Sequence, residues 1–161
     1  MKKDPPIKRH EALISFSKDH HFGLLLVWKI RQGLKMDVAP ERISNYAIFF
    51  FETDLREHFE KEEETLFSKL EPNDTLRKQA YREHTQIQSL VDQISQNKSD
   101  TVILEKFAET LESHIRFEER ILFNHLQNIL SEEELIKGAK EHGKHHGNPD
   151  DKWSDHFWIT K

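Results

Sequence analysis

The chain contains no cysteine. Disulfides, thiolate nucleophiles and cysteine-type zinc sites are therefore excluded. Glycine and proline are scarce, five of each in 161 residues, which leaves long stretches free to be helical. No apolar run approaches membrane length: the densest, Leu24 to Trp28, is five residues. The N-terminus carries no signal-peptide pattern, so no membrane association is expected. Positive charge is not in excess. Lys plus Arg number 24 against 29 Asp plus Glu, a formal charge of -5, which weighs against a nucleic-acid-binding surface. No nucleotide-binding loop, Ser-His-Asp arrangement or nucleic-acid motif is present. The expectation is a soluble cytoplasmic protein, one domain over residues 1–161, long enough to bury a real core.

What the chain does have is histidine, eleven in all, and the placement matters more than the number. Phe51, Leu55, His58, Glu62 and Leu66 recur at helical spacing and fall on one stripe. The stripe is apolar except for His58 and Glu62, and a carboxylate buried there without a partner would be costly. The pattern returns later in the chain. Phe107, Leu111, His114, Glu118, Leu122 and Phe123 match Phe51, Leu55, His58, Glu62, Leu66 and Phe67, position for position.

In chain order, residues 1–8 read as an arm ending at Pro5-Pro6. A first helix is expected from about Lys8 to Arg31, with Leu13, Phe16, His20, Leu24 and Val27 as its stripe and Gly33 as its stop. His21 is turned by about 100° from His20 and reaches that face only at its edge. Pro40 opens a second helix running to about Leu70. In it Glu62 points inward, Glu60 and Glu64 are solvated, and Glu63 lies beside the inward face. Asp74 caps a third helix, about Thr75 to Ser95, striped by Leu76, Ala80, His84, Ile87, Val91 and Ile94. Asp100 caps a fourth, about Thr101 to Asn128. Ser131 with Glu134 reads as a capping box for a short fifth helix that fades by Gly143. The remaining tail is not periodic. Trp153, Phe157 and Trp158 make it too apolar to be wholly free, so it is expected to dock. The fold class is all-α: an up-down-up-down four-helix bundle over about residues 8–128, with a short extra helix and docked tail over 131–161.

Each of the four long helices thus offers one inward histidine near mid-length, and two add a glutamate one turn on. A lone inward histidine is more often a satisfied core residue, and an i,i+4 His–Glu pair has a bland reading as a hydrogen bond. Convergence of His20, His58, His84 and His114 with two carboxylates favours a metal. That set is too large for one tetrahedral zinc and too nitrogen-rich for calcium or magnesium. It suits two first-row ions bridged by carboxylate and by oxide or hydroxide, with iron first and manganese or zinc as alternatives. Glu118 is the repeat's match to Glu62. Glu119, its neighbour, is the rival ligand, as Glu63 is beside Glu62.

These residues resemble the hemerythrin family, in its bacterial HHE cation-binding branch, over about Lys8 to Asn128. The likeness rests on D-H-H-F-G-L-L at Asp19, H-F-E-K-E-E-E-T-L-F at His58, E-H-T-Q-I at Glu83 and H-I-R-F-E-E-R-I-L-F at His114. It implies a four-helix bundle around a non-haem di-iron centre, with His20, His58, Glu62, His84, His114 and either Glu118 or Glu119 as ligands. Hemerythrins proper place the last acid five residues after its histidine, which would select Glu119. They also carry H-x-x-x-H on the third helix, where this chain has Gln88. That departure implies an open or water-filled position on that side, unless His21, His10, a tail histidine or a second carboxylate fills it.

The leading functional expectation is a di-iron protein that binds or senses a small ligand such as dioxygen, peroxide or nitric oxide, with Gln88 donating to a bound oxygen species. The alternative is a metal-poor helical interaction module. In that reading the Leu24–Trp28 patch and the tail form a surface for a second copy or another protein. A separate metal at His142, His145, His146 and His156 is the weakest expectation, because their glycine-rich setting fixes no geometry.

Overall fold

Helix boundaries follow local chemistry. In the computed structural model, which describes residues 9–143 and 148–159, a single 3-10 turn (Glu11–Leu13) leads into α1 (Ile14–Lys35). Pro40 occupies the first turn of α2 (Pro40–Phe50). A π-helical turn (Phe51–Leu55) then joins α2 to α3 (Arg56–Thr65). The Asp74 carboxylate accepts from the backbone N–H groups of Leu76 and Arg77, both at 3.0 Å, and starts α4 (Thr75–Gln96). Asp100 does the same for Val102 and Ile103 at 2.9 and 3.2 Å, starting α5 (Thr101–Phe117). A second π-helical turn (Glu118–Leu122) connects α5 to α6 (Phe123–Ile129). The Ser131–Glu134 capping box opens α7 (Glu132–His142) as the spacing predicts. No strand occurs among the described residues.

These segments form four antiparallel rods: α1, α2 with α3, α4, and α5 with α6. Two apolar clusters fill the bundle, one toward each end. The first gathers Leu26, Val27 and Ile30 of α1 with Tyr46, Phe50, Leu90, Ile94, Leu104 and Phe107. The second gathers Leu13 and Phe16 with Leu66, Phe67, Ala80, Phe123 and Leu126. Along every rod the inward histidine falls between the stretch that feeds one cluster and the stretch that feeds the other. The polar layer is therefore walled off from water at both ends.

Two features differ from the sequence reading. The second and fourth long helices are not uninterrupted: a wide π turn sits beside each His-x-x-x-Glu pair, a device frequent at functional sites. Gly33 does not stop α1, which runs on to Lys35. A Cβ there would lie 2.8 Å from Phe157 Cε2 and 2.9 Å from Ile43 Cδ1, so the glycine permits the tail to pack tightly on the helix. The turn after α1 instead uses Asp37 at φ 55°. The Pro5-Pro6 arm lies outside the described residues.

The tail docks on the bundle end nearest α2, as its apolar content predicts. Phe157 is 3 % exposed and belongs to the first cluster. Trp153 stacks on Phe49 with ring centroids 4.6 Å apart. Lys29, buried in the middle of α1's inner face, donates to Asp150 of the tail and to the Tyr46 hydroxyl, and Tyr46 also donates to Asp150. The Lys29 ammonium lies 4.3 Å from the centre of the Trp158 ring. Removing Asp150 would strand a buried ammonium. Asp150→Ala is expected to lower the unfolding free energy by about 3 kcal/mol in denaturant titration, and Lys29→Met in the same chain to recover most of it.

Candidate metal centre

α1 presents His20, α3 presents His58 and Glu62, α4 presents His84, and α5 with its π turn presents His114 and Glu118. All six side chains are buried: Glu62 and Glu118 are 0 % exposed and no histidine exceeds 5 %. Each histidine turns Nε2 toward the two carboxylates. His20 Nε2 lies 2.9 Å from Glu118 Oε2 and 3.9 Å from Glu62 Oε2. His58 Nε2 lies 3.1 Å from Glu62 Oε1. His84 Nε2 is 3.5 Å from Glu62 Oε1 and 3.3 Å from Glu118 Oε1, and His114 Nε2 is 2.5 Å from Glu118 Oε1.

The donors divide into two groups, each compact enough for one cation. One is His20, His58, Glu62 and Glu118. The other is His84, His114, Glu62 and Glu118. Within each group the ligand atoms lie within 4.8 Å of one another. Both carboxylates belong to both groups, so they stand where bridging ligands would stand.

The other ring nitrogen of every histidine faces outward onto an acid. His20 Nδ1 is 2.7 Å from Glu119 Oε1, and His58 Nδ1 is 2.8 Å from Asp19 Oδ2. His84 Nδ1 is 2.6 Å from Glu63 Oε2, and His114 Nδ1 is 2.8 Å from Glu83 Oε1. A carboxylate on Nδ1 accepts its proton, fixes the tautomer and leaves the Nε2 lone pair directed at the interior. The arrangement has approximate two-fold symmetry. Asp19 and Glu83, each immediately before an inward histidine, hold the histidine of the next rod. Glu63 and Glu119, each immediately after an inward glutamate, hold the lone histidine of the opposite half. Aromatic rings close the sides: Phe123 stacks on His20 at 5.3 Å and Phe59 on His84 at 4.0 Å.

The electrostatics call for positive charge. Nε2 of His20, His58 and His114, both Glu62 oxygens and Glu118 Oε2 are buried, close to one another but without a partner in hydrogen-bonding geometry. Burial works against protonating His20, but Glu118 and Glu119 outweigh it and hold the imidazole up to about 9. His58 is likewise opposed by burial and raised by Glu62 and Asp19 to about 10. His84 and His114 move in the same direction, again against burial, through Glu118 and their other acidic neighbours. Burial alone would raise the Glu118 carboxyl, yet His114 and the surrounding hydrogen bonds hold it well below its usual range. Mixed imidazole and carboxylate donors, tethered outward by acids, suit first-row transition cations.

The structure therefore brings together His20, His58, Glu62, His84, His114 and Glu118, with Glu119 turned to the outer edge of His20. It does not bring Gln88 or His21 to the cluster. Gln88 donates to Asp92 Oδ1 at 3.1 Å on the outer side of α4. His21 is exposed, its ring edge on Phe22. His10 caps the first turn by accepting from Ala12 N–H at 3.0 Å. His156 approaches the Asp150 carbonyl at 3.2 Å, whereas His142 sits beside Asp19, so the described tail histidines form no shared site. His145 and His146 lie outside the described residues. The sequence reading missed Asp19 and Glu83, although an acid directly before each lone inward histidine was a visible signal.

A cation entering this site must displace the protons that the metal-free imidazoles carry. With His20 at about 9 and His58 at about 10, both are protonated at pH 7.5 without metal. Loading at that pH is expected to release protons, measured by calorimetry in buffers of different ionisation enthalpy. The release should fade as the starting pH rises through the range from 9 to 10. Proton-independent loading at pH 7.5 would contradict the charge state described.

Comparison with known proteins agrees with this geometry. No curated protein and no solved structure matches the chain. A family model, the hemerythrin HHE cation-binding domain, matches residues 18–126, a span that holds all six buried donors and the four acids that tether them. With the match covering most of the chain and the buried cluster lying within it, the protein belongs to the hemerythrin HHE cation-binding family.

Proposed function

We propose that this chain holds two transition-metal ions, iron in preference to manganese or zinc, and uses them to bind or sense a small ligand such as dioxygen, peroxide or nitric oxide. The observation that carries the reading is the pair of four-residue groups sharing Glu62 and Glu118. Two cations so placed would each take two imidazoles from one half of the bundle and both carboxylates. In this reading His20, His58, His84, His114, Glu62 and Glu118 are the ligands, and Asp19, Glu63, Glu83 and Glu119 are the tethers. The four imidazoles and two carboxylates would hold the ions and leave coordination positions for an exogenous small ligand.

Iron, when bound, supplies the redox chemistry. The protein's own part is to hold geometry and exclude water. The tethers keep the imidazole rings from rotating. The two apolar clusters dry the site from both ends. A cavity of about 210 Å³ reaches His84 from the surface, lined by Phe51, Phe59, Glu63, Thr85 and Gln88 among others. It marks the side from which a small ligand would approach, with the Gln88 amide at its wall rather than at the metal-facing nitrogen. His21 has no part in this reading.

A second reading draws on a different observation. Leu24 is 38 % exposed and Trp28 51 % exposed on the outer face of α1, and this patch would serve a homodimer or another protein partner. The two readings are compatible and separate experimentally, since contact through α1 does not need metal. Among the described residues no helix is long and apolar enough to cross a membrane.

Expressed with iron, the full chain is expected to carry two ions, with near-ultraviolet absorption that changes on reduction and reoxidation. Glu118→Ala removes a ligand common to both groups and should lower retention of both ions. His114→Ala should weaken chiefly one, by about 10-fold or more. One ion or none in a correctly folded wild-type chain would refute the paired centre.

A further inference from the structure

The segment beyond the family match reaches back to the metal centre. α7 lies past residue 126, and its last residue, His142, places Nε2 2.8 Å from Asp19 Oδ2. The same Asp19 oxygen lies 2.8 Å from Nδ1 of His58. The His142 side chain is 5 % exposed and that of Asp19 16 %. The His142 ring also rests on Phe16, with centroids 4.0 Å apart. Gly138, one turn back, lets α7 sit against the end of α3: a Cβ there would meet Leu66 Cδ2 at 2.9 Å and the Thr65 carbonyl at 3.1 Å. The helix is thus seated closely enough to fix where His142 stands.

We propose that His142 is a positioning residue for one half of the paired centre, acting through Asp19 on His58, so that α7 sets how tightly the His20–His58 cation is held. The inference rests on the paired-metal reading above. A carboxylate that orients a ligating imidazole works only if it is itself held. Asp19 is held from α7. Its counterpart Glu83 is held from within α4, where Gln79 donates to Glu83 Oε2 at 2.8 Å. The two halves of the bundle are alike in ligands and in tethers but differ in what secures a tether. One brace is local to its helix and forms whenever α4 forms. The other includes a tertiary contact, from His142 to Asp19, which exists only while α7 is docked.

Asp19, His58 and His142 are also close enough together to be considered as a third cation position. Occupation there would take Nδ1 of His58 while Nε2 serves the main centre, making that imidazole a bridge that must be fully deprotonated. Hydrogen bonding from both rings to one carboxylate oxygen accounts for the same distances without that cost.

The test is metal retention in the full-length protein loaded with iron and challenged with a chelator, comparing wild type, His142→Ala and His142→Gln. The glutamine amide can donate to Asp19 where the imidazole did. Wild type should release two ions per chain. His142→Ala should release one of them about 10-fold faster or more and leave the other unchanged, and His142→Gln should restore most of the loss. Cobalt substitution gives a second readout, in which His142→Ala should alter the visible spectrum of one of the two ions. Two ions in wild type with unchanged release in His142→Ala overturns the positioning role alone. Equal loss of both ions, or no rescue by glutamine, shows a general loosening and also overturns it. A third ion in wild type that disappears in His142→Ala replaces the brace with a ligand. Fewer than two ions in wild type overturns the paired centre and the brace together.

Discussion

Four imidazoles and two carboxylates share the dry middle of this bundle only because positive charge balances them there. Each outer ring nitrogen donates to Asp19, Glu63, Glu83 or Glu119, so every inward nitrogen that carries no proton is an acceptor facing carboxylate oxygens. Acceptors facing acceptors repel, and two fully buried carboxylates add to the cost. Cations between them would turn that cost into binding energy. The rest of the molecule is arranged around this balance: apolar layers seal the ends, rings close the sides, and acids hold the imidazoles from behind.

The internal repeat explains the economy of the site. One motif, an acid before the lone histidine on one rod and His-x-x-x-Glu-Glu on the next, is used twice. Antiparallel packing of the two halves then makes each inward glutamate common to both donor groups and sends each following glutamate across to the other half's histidine. The symmetry fails at the brace behind Asp19, which comes from α7, outside the repeat. On the paired-metal reading, the two donor groups would therefore hold their cations with different strength although their side chains are the same in kind.

Much of this was legible in the sequence because it is encoded locally. Helix starts at Asp74, Asp100 and Ser131 follow from side chains that cap their own backbone. The inward set follows from apolar periodicity interrupted at His20, His58, Glu62, His84, His114 and Glu118, but the repeat favoured Glu118 over Glu119 without deciding between them, and only the packed helix shows Glu118 buried and Glu119 at the outer edge. The π turns were not legible, since an i to i+5 turn has no compositional mark. The role of Gly33 was misjudged because the constraint on it comes from Phe157, well over a hundred residues away. The tail's apolar residues announced docking, but the Lys29–Asp150–Tyr46 contact that anchors it joins side chains that no local pattern relates.

The most direct test is a crystal structure of the iron-loaded protein with anomalous diffraction collected at the iron edge. Two anomalous peaks are expected in the middle layer, one against His20 and His58 and one against His84 and His114, with Glu62 and Glu118 reaching both. A single peak, or peaks lying against Asp19 and His142 in place of the buried carboxylates, would contradict the paired centre.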